Sequence, residues 1–336
     1  MKRFFSALFL CLSVSAFAKT LAPDNWHQAN KRVHEAGGWK AYAREIHGAS
    51  SESEQPNVSG QALSLHLAIE RALSLEPSLR QALQSIPRDP AKYLLLTDHQ
   101  KALLTQEAQL ISEVSIFWYN AVAAKEHAIQ QERVSEVASI ASELSSRMHR
   151  VGNLNTLHQA EDLLTYSQSK NDLAKSQLEF YKALEKLALR LQVVGNPRLL
   201  DLPSRLPEAP NDMKALQLDE TDATLLSTET GNPAFQKLLS EVRLAVRNRE
   251  EAFRLVNHYK SELLPLQRQI SEEHLLHYNG MIIGVFELLK DAKQQAKLVN
   301  DYLAALHSYW VAEAAVNPKL AALREQLSTF RRNAWK

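Results

Sequence analysis

Cysteine is almost absent from this sequence. The single cysteine, Cys11, lies in the first 18 residues, which have a basic start, an apolar segment and the small-residue sequence Ala16-Phe17-Ala18 at their end. These features predict a secretory signal peptide that is cleaved after Ala18. The chain that remains has no disulfide and no thiolate zinc site, and we expect it in the periplasm, with association to the outer membrane left open.

A surplus of charge of either sign is also missing. The chain has 39 basic and 38 acidic residues. Removing the two basic residues of the signal peptide leaves 37 against 38, a net charge of −1. Nucleic-acid-binding domains usually present a basic face, so nucleic acid is not an expected partner. The sequence also has no nucleophile elbow and no Gly-rich phosphate loop. We therefore predict that the protein is not an enzyme, with no catalytic residues and no cofactor.

Glycine is scarce, at 9 of 336 residues, and runs of alternating polar and apolar residues between turns are missing. An all-α fold is therefore predicted. Gly152 interrupts one long helical pattern, and Gly280 and Gly284 interrupt another. Gly costs roughly 1 kcal/mol relative to Ala in a helix interior, so each site predicts a turn. Two long stretches that each turn near the middle predict two long antiparallel hairpins with coiled-coil-like packing, which form an internal repeat.

The chain divides by composition into five parts. The signal peptide (1–18) precedes a polar segment and linker (19–60), the first hairpin (61–195), a Pro-rich connector (196–232), and the second hairpin with a C-terminal tail (233–336). We expect Asn317-Pro318 to end the last helix near Ala315 and Pro265 to kink the second hairpin, because proline removes a backbone hydrogen bond.

Apolar residues in the first arm of the first hairpin step by three and four, a spacing typical of helices that pack side by side. The two sets are Leu110, Val114, Phe117, Ala121 and Ala124, and then Val137, Ile140, Leu144, Met148 and Val151.

Several motifs occur in a recognisable order. The sequence Leu63–Leu73 followed by Pro77 is similar to "L-x-x-A-[IL]-x-x-A-L-x-x-x-P", and Gly152–Leu157 is similar to a first hairpin turn. Tyr278-Asn279-Gly280 with Phe286–Leu289 is similar to "Y-x-x-G … [LF]-[DE]-L-L", and Tyr302–Tyr309 to "Y-x-x-A-L-x-x-Y". Together they resemble the TolC-type outer-membrane efflux proteins, closest to the heavy-metal-resistance branch, over roughly Gln61 to Ala315.

The resemblance implies a trimer whose helical hairpins form a periplasmic tunnel, with the turns facing an adaptor protein and an inner-membrane pump. In that family each hairpin is preceded by two strands of a β-barrel. The corresponding intervals here, 85–97 and 231–243, are too short for two membrane strands and do not alternate. We therefore expect little or no β-barrel.

Candidate sites follow from these patterns. The turns predict partner-docking tips at Gly152, Asn153, Gly280, Met281, Ile282, Gly284 and Phe286, where the apolar residues are unusual for an exposed turn. His274 and His277 are spaced i,i+3 on one predicted helix, a spacing that can chelate a divalent metal, although a solvated helix face has the same pattern.

Two functions remain open at this point. The first is a conduit or docking component of an efflux or export system that could act on heavy metals. The second is a periplasmic scaffold or metal-handling accessory protein that has lost transport.

Overall fold

The computed structural model describes residues 62–87, 96–193, 195–197, 200–212 and 233–334, with side chains up to residue 326. The predicted signal peptide and the segment 19–60 lie outside these residues, as do positions 88–95 of the first strand interval and the second half of the connector. Every regular element in the described residues is helical, and they contain no β-strand. The second strand interval, 231–243, is helix from Pro233 onward. The predicted all-α class is confirmed.

Seven α-helices occur in the described residues. They are α1 (Leu65–Ser74), α2 (Pro77–Gln84), α3 (Asp98–Arg150), α4 (Thr156–Arg190), α5 (Pro233–His258), α6 (Leu264–Asn279) and α7 (Val285–Ala334). A π-helical turn, Tyr259–Leu263, joins α5 directly to α6 at the point where Pro265 interrupts the regular hydrogen bonding. The longest helix, α3, has 53 residues and is therefore about 80 Å long.

The long helices form the two predicted hairpins. Helix α3 packs against α4, and α7 packs against α5 and α6. The hairpins meet through α3 and α7, while α1 and α2 cover α3. Thr97 begins α3 with a capping box, in which its side chain and that of Gln100 each accept a backbone N–H. Because α3 and α7 each contact both hairpins, α4 and the α5–α6 arm are left with one outward face each.

The helices differ along their length, and we divide them accordingly. The base half comprises residues 98–128, 177–190, 233–258 and 302–334, and the tip half comprises residues 129–150, 156–176, 264–279 and 285–301, next to the turns. Two apolar clusters fill the base half, one around Trp118, Leu187 and Tyr309 and the other around Leu239 and Leu323. The base half is therefore the part with a conventional core.

The tip half has no such core. Its buried side chains are polar apart from Ala138, and they are Ser135, Ser142, Ser145, Ser169, Ser176, Gln267 and Asp291. The hydroxyls of Ser169 and Ser176 donate to carbonyls one turn earlier in their own helix, at 2.8 Å. Small side chains let two helices approach closely. Bonds within the helix satisfy both hydroxyls, and the Ser169 hydroxyl also reaches Ser135 of α3 at 3.4 Å.

The apolar residues of α3 that step by three and four are buried or half-buried in the base half, but half-buried or exposed in the tip half. Leu110, Val114 and Ala121 are buried as predicted. The second set is half-buried or exposed, with Ile140 and Val151 among its exposed members. The fully buried residues of this segment are the serines and Ala138, whereas Val137, Leu144 and Met148 of the predicted set are half-buried.

The expected end of α7 near Ala315 is also wrong. The helix continues through Pro318 to Ala334. Val316, Leu320 and Leu323 of this extension pack with Phe235, Leu239 and Val242 of α5. Proline costs about 3 kcal/mol in a helix interior, and burying three large side chains at roughly 1.5–3 kcal/mol each outweighs that cost.

Residues 200–212 of the Pro-rich connector contact α3, α7 and the π-helical turn. Leu202 and Leu206 of this segment are buried. The helix side chains that bind it are Lys125 (to the Leu202 carbonyl), Glu126 (from the Leu206 N–H, 2.8 Å), Trp310 (to the Pro207 carbonyl, 2.8 Å) and Lys260 (to Glu208, 3.0 Å). The connector thus ties α3, α7 and the π-helical turn together.

Candidate functional site: the hairpin tips and the faces beside them

The turns at the two tips have the same backbone design. In the first, the N–H of Asn153 donates to the carbonyl of Met148 at 2.9 Å. In the second, the N–H of Ile282 donates to the carbonyl of His277, also at 2.9 Å. Each bond spans five residues around the end of a helix and satisfies a carbonyl that the helix leaves open, as in a Schellman motif.

Such a motif places the residue before the donor in the left-handed region. At the first tip this residue is Gly152, with φ of 77°. At the second tip it is Met281, with φ of 56°, whereas Gly280 has an ordinary φ of −79°. The sequence pairs Gly152 with Gly280, but the structure pairs Gly152 with Met281. Positive φ costs a residue with a Cβ roughly 1–2 kcal/mol, so Met281 occupies a position that the fold alone would give to glycine.

The second tip is also the more apolar and exposed of the two. Met281 is 89% exposed and Ile282 is 72% exposed. Asn153 and Gly284 are exposed as well, while Phe286 is half-buried at the start of α7. The predicted docking residues therefore lie at the two turns, and their role as docking residues stays a prediction.

The two histidines that the sequence pairs by spacing, His274 and His277, have different surroundings. His274 Nδ1 lies 3.3 Å from Oδ1 of Asp291 on the facing helix α7, whereas His277 is exposed. Gln267 Nε2 donates to the same carboxylate oxygen at 2.8 Å. Neither Gln267 nor Asp291 could be recognised from spacing, because they lie on different arms of the hairpin. Among the described residues, no group of three or more His, Cys, Asp or Glu side chains is placed to hold a metal ion.

Helix α4 has two faces with heptad spacing, and only one of them is covered. The covered face packs on α3 through residues such as Ser169, Ser176 and Leu187. The other face, which we call the outer seam, is exposed at every position. The outer seam consists of Leu157, Ala160, Leu164, Ser167, Asn171, Ala174, Leu178 and Tyr181. Exposed leucines at heptad spacing are typical of a surface that packs against another helix.

Aromatic and charged residues join the two hairpins in the base half. Tyr119 of α3 stacks on Trp310 of α7 with ring centroids 5.2 Å apart. Burial, aided by nearby Glu313, raises the pKa of Tyr119 to about 12. Burial also raises the pKa of Glu313, against the opposing effect of Arg249, whose Nε lies 3.8 Å from its carboxylate. Phe117, Trp118 and Tyr119 are buried or half-buried, so this aromatic run belongs to the core.

Among the described helices, none is both long enough and apolar enough to cross a membrane. No model of a known protein family matches the sequence, and no curated protein matches it either.

Solved structures do match the fold. Crystal structures of CusC, described in terms of folding and transmembrane channel formation, superpose with a TM-score of 0.51 at 13% identity, over 78% of this chain and 92% of that chain. A membrane protein from Pseudomonas aeruginosa gives 0.55 at 11% identity, over 81% and 96%. At this identity the likeness is one of fold, and at that level it confirms the resemblance to TolC-type proteins that the motifs indicated.

Proposed function

We propose that this chain is a periplasmic helical component of an efflux or export system, which builds part of a conduit or docks other components and performs no chemistry of its own. The shared fold with CusC and with the membrane protein from Pseudomonas aeruginosa supports the proposal. The resemblance to the heavy-metal-resistance branch makes metal ions the first substrates to test.

The proposal rests on the backbone conformation and the exposure of Met281. Its positive φ costs the folded chain free energy, and its nearly complete exposure means that no burial within the chain offsets that cost. A glycine would close the same turn without that cost. The methionine therefore favours a partner that covers this tip. Its thioether side chain is flexible and polarizable and suits it for adapting to such a partner. We assign that partner as a periplasmic adaptor protein, with an inner-membrane pump behind it.

The outer seam supports self-association. Helix α4 lies at one edge of the helical layer and the α5–α6 arm at the other, since α4 packs on α3 and the arm packs on α7. Leu244, Leu255 and Leu266 are exposed on the second edge. Pairing one edge with the other edge of the next copy is a head-to-tail contact, which closes into a ring when the rotation allows it. The resemblance points to a ring of three.

Photo-cross-linking in cells tests the docking tip. A cross-linking residue at Met281 is expected to capture the adaptor. The same residue at Asn248, which is exposed on α5 in the base half, serves as the control. Absence of any adaptor product at Met281, with equal expression of the two variants, would overturn the docking role.

Sedimentation of the purified chain tests the outer seam. We expect a trimer for the wild type and a monomer for Leu164→Glu/Leu178→Glu. The matched control, Gln168→Glu/Gln177→Glu, adds the same charge at exposed positions beside the seam and should remain a trimer. A folded wild-type monomer that captures no adaptor would favour the alternative, a scaffold or accessory protein that has lost transport.

A further inference from the structure

Three polar side chains hold the arms of the second hairpin together in its tip half. Gln267 and His274 lie on α6, and Asp291 lies on α7. Gln267 and Asp291 are the two buried side chains that this part of the hairpin contains. His274 is half-buried, and its Nδ1 atom is shielded from solvent. The cluster thus replaces the apolar contact that normally joins two helices.

His274 and Asp291 are in close contact, but no hydrogen bond joins them. Nδ1 lies 3.3 Å from Oδ1, within reach of an ion pair. Nevertheless, Nδ1 has no hydrogen-bond partner, so the imidazole is not aimed along a hydrogen bond at that oxygen. Two ligand atoms at 2.0–2.1 Å from a tetrahedral Zn²⁺ lie about 3.4 Å apart. The observed separation therefore matches two atoms that share a metal ion.

The carboxylate of Asp291 is also held in place for such a role. Its side chain is 8% exposed, and a buried carboxylate needs a compensating charge or metal. Gln267 Nε2 donates to Oδ1 at 2.8 Å. Hydrogen bonds of this kind from a neighbouring side chain orient metal-binding carboxylates and are part of the design of metal sites.

A second histidine–carboxylate pair has a similar separation but lies in a different environment. His258 Nδ1 lies 3.4 Å from Glu262, but both side chains are well exposed and belong to one continuous run of helix. A solvated pair of that kind has water to satisfy both groups. His274 and Asp291 come from different arms; His274 Nδ1 is withdrawn from water, and the Asp291 side chain is buried.

We propose that His274 Nδ1 and Asp291 Oδ1 bind a divalent transition-metal ion of the Zn²⁺ type, with Gln267 orienting the carboxylate and water completing the coordination. Imidazole and carboxylate ligands suit Zn²⁺, Ni²⁺ and Cu²⁺ better than Mg²⁺ or Ca²⁺. The ion joins α6 to α7 just below the turn that contains Met281. His277 takes no part, although the sequence pairs it with His274.

Titration of the purified full chain with ZnCl₂ tests the site, with binding measured by calorimetry and stability by thermal unfolding. We expect saturable binding of one ion and a higher unfolding temperature that EDTA reverses, because an ion that binds the folded chain stabilises it. MgCl₂ should give neither effect. No adaptor or membrane is needed, so a failed docking experiment and a failed metal titration can be told apart.

Variants locate the ion. His274→Ala and Asp291→Asn should abolish the specific binding, and Gln267→Ala should weaken it about tenfold or more. His277→Ala and His258→Ala, the matched controls, should bind as the wild type does. Gln267→Glu adds a third ligand and should tighten binding, which keeps the test decisive where a loss variant folds poorly. Wild-type binding that His274→Ala and Asp291→Asn leave unchanged, or no saturable binding at all, would overturn the proposal.

Discussion

The base half and the tip half belong to the same long helices, yet they bury opposite kinds of side chain. In the base half, apolar residues and stacked aromatic rings fill the space between helices. In the tip half, serines, Gln267 and Asp291 occupy the interior, while Ile140, Leu157, Leu276 and other large apolar residues face outward. Helix formation is equally regular in both, so secondary structure alone does not reveal the difference.

The residues that stabilise the fold are therefore largely distinct from those that are available to partners. Hydrophobic burial stabilises by roughly 25 cal/mol per Å², and the tip half gains little of it within one chain. Its helices are anchored by continuity with the base half, and its exposed apolar residues gain burial only when another chain covers them. Regions with few buried apolar contacts are also those that open first.

The largest expected effect is in the base half. Phe253 is fully buried, with its ring 5.8 Å from that of Tyr309. Phe253→Ala should lower the free energy of unfolding by about 3–5 kcal/mol, because it removes buried surface and leaves a cavity. Leu276→Ala, an exposed residue of the tip half, should change it by less than about 0.5 kcal/mol. Urea denaturation measures both, and equal losses would erase the distinction between the halves.

A second prediction concerns the polar interior of the tip half. Ser145 is fully buried, and its Oγ has no hydrogen-bond partner in the described structure. Ser145→Ala should raise the free energy of unfolding by about 1–2 kcal/mol, since an unsatisfied buried hydroxyl is removed. Ser135→Ala is the matched control, because the hydroxyl of Ser135 accepts from Ser169 at 3.4 Å. A loss of stability in Ser145→Ala would show that its hydroxyl has an unrecognised partner.

The third prediction compares the two turns. Met281→Gly should stabilise the isolated chain by about 1 kcal/mol, because glycine adopts positive φ without steric cost. Gly152→Ala should destabilise it by a similar amount, since nothing crowds the added Cβ and the backbone strain alone acts. Thermal unfolding measures both changes. Met281→Gly should also lose the adaptor cross-link, measured from a neighbouring position such as Ile282, although the variant is the more stable protein.

The smallest effect is expected where the connector binds α3. Burial raises the pKa of Glu126, against the opposing effects of the Leu206 N–H and Arg205. A raised pKa means that the folded chain disfavours the carboxylate, so the cost is present at pH 7.5 and disappears as pH falls through the raised pKa toward the ordinary range. Glu126→Gln keeps an oxygen for the Leu206 N–H and should be more stable than the wild type at pH 7.5.

The difference between Glu126→Gln and the wild type should shrink toward pH 4.5, as measured by urea denaturation at several pH values. Glu185→Gln, which removes a carboxylate from an exposed position on α4, is the matched control. A gain for Glu126→Gln that is constant with pH would mean that the charge of Glu126 is not its cause.

Much of the fold could be predicted from the sequence because its signals are local. Long apolar periodicity, scarce glycine and the two interrupted stretches predicted the α3–α4 and α5–α6–α7 hairpins. Predictions failed where two local signals had equal strength or where a distant segment intervened. Helix α3 has apolar and small-residue faces with the same spacing in its tip half, and spacing does not say which one packs. Pro318 ends a helix by its own chemistry, but α5 supplies the buried contacts that carry α7 through it.

The two hairpin tips likewise combine features that local sequence predicts with features that only the tertiary structure sets. Turns near Gly152 and Gly280 could be predicted because glycine is unfavourable in a helix interior. That Met281 rather than Gly280 adopts positive φ depends on where the preceding helix ends. The pairing of His274 with Asp291 depends on how two arms align across the hairpin. By itself the sequence determined that long helices form and where the hairpins turn, because those preferences lie within a few neighbouring residues. Only the tertiary structure decided which faces are buried and which groups meet, because those choices depend on residues far apart in the chain.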